Sequence, residues 1–105
     1  MWLLGCVMSY LNFEWDQNKA ESNKRKHDVT FNEAESVFYD EFSRMIPDPD
    51  SSFGEERFII IGVSERSNSL VVCHCYRNDG ECIRIISARK ADKRERKQYE
   101  EYRYA

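Results

Sequence analysis

The apolar positions of this chain change period along its length, from loose alternation to helical spacing and back to alternation. Residues 10–15, YLNFEW, alternate and predict a short strand. Asp16 follows as an N-cap, and residues 17–27, QNKAESNKRKH, predict a polar helix whose last turn holds Lys24, Arg25, Lys26 and His27. Cations there suit the helix dipole, by about 0.3–1 kcal/mol each. Thr30-Phe31-Asn32-Glu33 is a capping-box pattern, in which the Glu33 carboxylate is expected to reach back to the cap. The helix it opens carries Phe31, Ala34, Val37, Phe38 and Phe42 as a core stripe, with the acids Glu33, Glu35, Asp40 and Glu41 outward.

Residues 44–46 predict a short strand before Pro47, and PDPDSSFGEE is a loop. Three strands are then predicted, over 56–64, 69–77 and 81–88. Their connections are short and polar, and Asn78-Asp79-Gly80 is a strong hairpin signal because these residues tolerate positive φ. Short hairpin loops require antiparallel pairing. The apolar runs are too continuous for a sheet with one wet face, so helices must cover part of the second. A last helix begins near Ala91, capped by Asp92 with Glu95, and Ala91, Glu95, Gln98, Tyr99 and Tyr102 fall on one side of it. The expected architecture is α+β: an antiparallel sheet of three to four strands, two N-terminal helices and one C-terminal helix.

Length and composition narrow this further. The 105 residues suit one domain, expected over 9–105, and 13% aromatic residues argue for a packed core rather than disorder. Residues 1–8, MWLLGCVM, are expected to be a dispensable apolar leader, since a spanning helix needs about 20 apolar residues. Cys6, Cys73, Cys75 and Cys82 form no C-x-x-C pair, so reduced thiols and a cytoplasmic location are expected. Alternation sends His74 away from Cys73 and Cys75, which argues against a zinc site. Asp48-x-Asp50-x-Ser52 resembles a calcium loop, but its glycine is one position late and Ile59 stands where a glutamate is needed. No metal or cofactor is expected.

Charge changes the picture most. The net charge is −3, yet residues 28–56 carry nine acids against Arg44 alone, while residues 84–97 carry seven Lys/Arg against Asp92 and Glu95. Any contact with a polyanion must therefore be local. Lys93 and Arg94 stand in the first turn of the last helix, where positive charge opposes the dipole. A sequence tuned for stability alone would place acids there, so the basic cluster reads as a partner site.

Four residues fit poorly as plain structure. Arg57 starts an apolar strand, His74 lies within one, Arg84 interrupts a third and Arg89 ends it. A lone strand histidine is ordinarily a core residue, and each arginine has a carboxylate within plausible reach. Together they would suit metal-independent RNA cleavage: guanidinium groups grip phosphate and imidazole moves a proton. A strict period of two separates Arg84 from Arg89 unless a bulge intervenes. At the level of the residues two readings stay open, a ribonuclease and a non-catalytic RNA- or partner-binding module using the same basic surface.

The blocks F-E-W-D, K-H-D-V-T-F, E-R-F-I-I-I-G, V-V-C-H-C and R-I-I-S-A-R-K-A resemble the BrnT family of type II toxin–antitoxin ribonuclease toxins, from Asn12 to Glu101. Asp28 departs from the glycine usual there, a change its tolerance of the left-handed region should accommodate. The resemblance implies a RelE-like fold and an endoribonuclease that arrests translation. It also implies neutralisation by a BrnA-like antitoxin, in a heterotetramer around an antitoxin dimer. Operator DNA would be bound only through the antitoxin, and no membrane is involved. Motif by motif it implies catalytic roles for Arg57, His74, Arg84 and Arg89. RNA-binding roles fall to Lys26, His27, Lys90, Lys93 and Arg94.

Overall fold

In the computed structural model, which describes residues 11–49 and 56–104, two helices and an edge strand precede a meander and a final helix. The order is β1 (Phe13–Glu14), α1 (Gln17–His27), α2 (Phe31–Val37), β2 (Arg44–Pro47), β3 (Phe58–Val63), β4 (Ser69–Arg77), β5 (Cys82–Lys90) and α3 (Lys93–Arg103). The leader, and Asp50 and Ser52 of the calcium-like loop, lie outside the described residues.

Among the described residues the sheet has five strands in the order β1-β5-β4-β3-β2. The expectation of three or four antiparallel strands is corrected on both counts. β2 to β5 do form an antiparallel meander, but β1 joins the far edge parallel to β5, pairing Phe13 with Ile83 and Glu14 with Arg84. Two residues of pairing leave too little alternation to give direction. The β4–β5 turn follows the hairpin signal, with Asn78, Asp79 and Gly80 all at positive φ.

One sheet face packs on α2 through Phe31, Ala34, Val37, Ile60, Leu70, Val72, Ile85 and Ala88, with Val29 in the same cluster. Burial of each large apolar side chain contributes about 1.5–3 kcal/mol. α3 crosses the other face, called the back face below. It leaves a groove of about 590 Å³ above Ile46, Ile59, Ile61 and Val71. Tyr99 anchors α3 by donating its hydroxyl to Asp40 Oδ2 at 2.6 Å.

The helix caps follow the sequence with one correction. Asp16 caps α1, and Asp28 ends it in the left-handed region at φ 57°, as required of a residue in a glycine-like position. Asp92 and Glu95 make the reciprocal capping box. Thr30 caps α2, but Glu33 does not reach back and is not outward. Its carboxylate is buried, where Oε2 accepts from the Ser64 hydroxyl at 2.6 Å and the Asn68 amide at 2.8 Å. The β3–β4 loop brings these donors, and satisfying them outweighs a local cap.

The polar α1 is held by a residue its pattern did not single out. Asn23 is buried and donates to the Val29 and Ala88 carbonyls at 3.0 and 2.8 Å, while accepting from the Ala88 amide at 3.0 Å. Its side chain thus serves the β5 edge beyond the point where β1 ends, as a neighbouring strand would.

Candidate nucleic-acid interface

The basic strand β5 presents its cations through a bulge. Cys73 pairs with Ser87 and His74 with Ile85, so Ile86 is the extra residue. The bulge reverses the alternation, and Arg84, Ser87 and Arg89 consequently share the back face while Ile83, Ile85 and Ala88 point toward the helices. Arg57 precedes the Phe58–His74 pair by one residue, which sets it at the level of Cys75, itself paired with Arg84. A row therefore crosses the back face from Arg57 through Cys75 and Arg84 to Glu14. At about 4.8 Å between strands, the two arginine positions stand roughly 10 Å apart, with the Arg57 Nε buried.

His74 is not in that row. The expected convergence of arginines on its imidazole is corrected by the register: His74 faces the helices, with 0% exposure. Phe38 packs edge-on at 4.8 Å, and Phe58 and Tyr76 close the other sides at 6.1 and 5.4 Å. Nδ1 lies 3.4 Å from the Val72 carbonyl and Nε2 has no hydrogen-bond partner. Burial lowers its pKa to about 4, so the ring is neutral at neutral pH. The imidazole is sealed beneath hydrocarbon on the wrong side of the sheet to meet RNA at the arginines.

The arginines have partners of their own. Arg84 Nε donates to Glu14 Oε2 at 2.7 Å, both side chains remaining partly open at 43% and 36% exposure. That hydrogen bond holds the Glu14 carboxyl below the usual carboxylate range, assisted by the charge of Arg77 at the end of β4. Arg89 forks onto Glu95, Nη1 to Oε1 at 2.8 Å and Nη2 to Oε2 at 2.9 Å. Since Glu95 Oε1 also accepts from the Asp92 amide at 2.9 Å, this arginine is built into the β5–α3 junction. Arg57 acts on Cys73, but burial and the Asp48 carboxylate dominate and push that thiol up to about 11. Cys73, Cys75 and Cys82 are free thiols.

Around the junction Lys90, Lys93 and Arg94 are exposed, as are Lys26 and His27 at the end of α1. The Asn23–Ala88 bonds dock α1 on the edge of β5 near its end. Three participants were not foreseen as part of the site: Glu14, Arg77 and Asn23. Glu14 is seventy positions from Arg84, and only the parallel pairing of β1 makes them neighbours. Among the described residues, no group of three or more His, Cys, Asp and Glu side chains is placed to hold a metal ion. No helix there is long and apolar enough to cross a membrane.

Comparison with known proteins bears on this face. The family model described as ribonuclease toxin, BrnT, of type II toxin–antitoxin systems matches residues 15–95, most of the chain. The crystal structure of the Brucella abortus ribonuclease toxin BrnT is similar, with a TM-score of 0.62 at 21% identity over 80% of this chain and 100% of that one. At that identity the likeness is one of fold. Comparison with curated proteins gives no match.

Proposed function

The chain belongs to the BrnT family of ribonuclease toxins of type II toxin–antitoxin systems, and from that membership we propose a metal-independent endoribonuclease working on its arginine face. In this reading the ribose 2′-oxygen attacks the adjacent phosphorus and the 5′-oxygen leaves, giving a 2′,3′-cyclic phosphate and a 5′-hydroxyl. Arg57 and Arg84, with Arg77 beside them, grip the phosphate and offset the charge that grows on it in the transition state. Arg89 fixes the junction from which Lys90, Lys93 and Arg94 hold the flanking backbone. Lys26 and His27 extend that track. His74 is a core residue rather than a proton carrier.

The observation that carries the proposal is the row across the back face, which sets Arg57 and Arg84 at one level on either side of Cys75, with Arg77 two residues further along β4. The fold likeness to a BrnT toxin supports the family reading. Cleavage would arrest translation in the cytoplasm, and a BrnA-like antitoxin would neutralise it in a heterotetramer, with operator DNA bound by the antitoxin alone.

Purified toxin incubated with RNA and excess EDTA provides the test. Cyclic-phosphate products that vanish with Arg84→Ala support the enzyme. Intact RNA with retained, salt-sensitive binding would instead support a binding module.

A further inference from the structure

A 2′-hydroxyl attack needs a proton acceptor, and with His74 sealed on the helix side the imidazole cannot supply it. The geometry points to Glu14 as the general base, an inference that rests on the ribonuclease reading above and adds a catalytic residue to it. Glu14 stands at the β1 end of the arginine row, one strand from Arg84, with its carboxylate partly exposed. Asp48, beside Arg57 at the far end of the row, accepts from the Cys73 thiol at 3.5 Å, and the groups nearer Arg84 are engaged or unsuited. Glu95 is held by the Arg89 fork and the capping box together. Cys75 is buried at 1% exposure, and the Cys82 thiol is itself a donor to Glu14 Oε1 at 3.5 Å.

The pairing also provides a way to activate the base when substrate arrives. In the free protein Arg84 holds Glu14 ionised, so the carboxylate is ready to accept but weakly basic. A phosphodiester bound at Arg84 brings negative charge beside Glu14 and competes for the guanidinium. Both effects raise the carboxylate's proton affinity at the moment the 2′-hydroxyl lies next to it. The proton of the 2′-hydroxyl passes to Glu14, the 2′-oxygen bonds to phosphorus, and the bond from phosphorus to the 5′-oxygen breaks. The departing oxygen takes a proton from water, and Glu14 returns its own to solvent.

Single-turnover cleavage in EDTA, followed from pH 4 to 8, tests this with Glu14→Gln and Glu14→Asp. Gln keeps an acceptor for Arg84 Nε–H, so it preserves positioning and removes only proton acceptance. The expected result for Glu14→Gln is a rate lower by about 100-fold or more, RNA affinity within a few-fold of wild type, and loss of the acidic limb of the pH profile. Glu14→Asp is expected to keep that limb and recover part of the rate. A Gln variant that cleaves nearly as fast as wild type, or more slowly with the acidic limb intact, overturns the general-base role and leaves the ribonuclease reading standing. Wild-type protein that fails to cleave in EDTA overturns that reading itself.

Discussion

Arg84 and Arg89 lie on the same face of β5 although five positions separate them, because Ile86 is the extra residue opposite the Cys73–His74 step. Their partners Cys75 and Val71 are four residues apart on β4, so at about 3.3 Å per residue the arginines stand roughly 13 Å apart, too far to share one phosphate but well placed to follow one RNA backbone. Their partners differ in kind. Arg84 meets a carboxylate on an edge strand, whereas Arg89 is locked into a helix cap.

Alanine at each position should separate the two roles. Arg84→Ala is expected to reduce single-turnover cleavage by about 100-fold or more with little change in melting temperature. Arg89→Ala removes a half-exposed bridge that contributes at most about 1 kcal/mol, lowering the melting temperature by a few degrees and affecting cleavage less than Arg84→Ala does. Thermal melts beside cleavage rates check both, and a reversed order would assign the chemistry to the junction instead.

His74 should make stability depend on pH. The folded imidazole titrates at about 4 against 6.5 when unperturbed, so the unfolded chain takes up the proton first as pH falls. The stability it contributes is complete above pH 6.5 and declines by up to about 3 kcal/mol on the way to pH 4. His74→Phe keeps a ring among Phe38, Phe58 and Tyr76 and removes the buried Nε2. Urea titrations should find this component of the pH dependence absent in the variant, with cleavage at pH 7 retained. A folded but inactive variant would return the imidazole to the chemistry.

Asn23→Ala strips the β5 edge of its side-chain partner. Three hydrogen bonds go, and the Ala88 amide and carbonyl are left unsatisfied. A loss of roughly 3 kcal/mol is expected, measured by chemical denaturation. RNA affinity should fall as well, because α1 is no longer docked on the edge of β5.

Gly62→Ala tests the packing of β3 on α2. An added Cβ would meet Asp40 Oδ2 and Val37 Cγ1 at 3.0 Å and Ser43 Cβ at 3.1 Å. Asp40 cannot swing aside easily, since it accepts from Tyr99, Val63 and Phe42 at 2.6, 2.8 and 2.9 Å. Destabilisation of about 1–3 kcal/mol is expected from overpacking. At a temperature where the variant stays folded its cleavage rate should match wild type.

Local chemistry was legible from residues a few positions apart. Helical spacing, the caps at Asp16, Thr30 and Asp92, and the Asn78-Asp79-Gly80 turn all act over one turn of chain, so the sequence by itself determined α1, α3, the antiparallel meander and the start of α2. That helix ends at Val37 instead of running on to the expected Phe42. The clustering of cations near β5 was likewise visible. What tertiary structure decided was sidedness and pairing at long range. A single bulge residue put Arg89 with Arg84, the phase of β4 sent His74 to the core, and a two-residue parallel contact set Glu14 beside Arg84. Each is a choice between two faces or two edges whose local sequence cost is nearly equal, so only packing of the whole sheet resolves it.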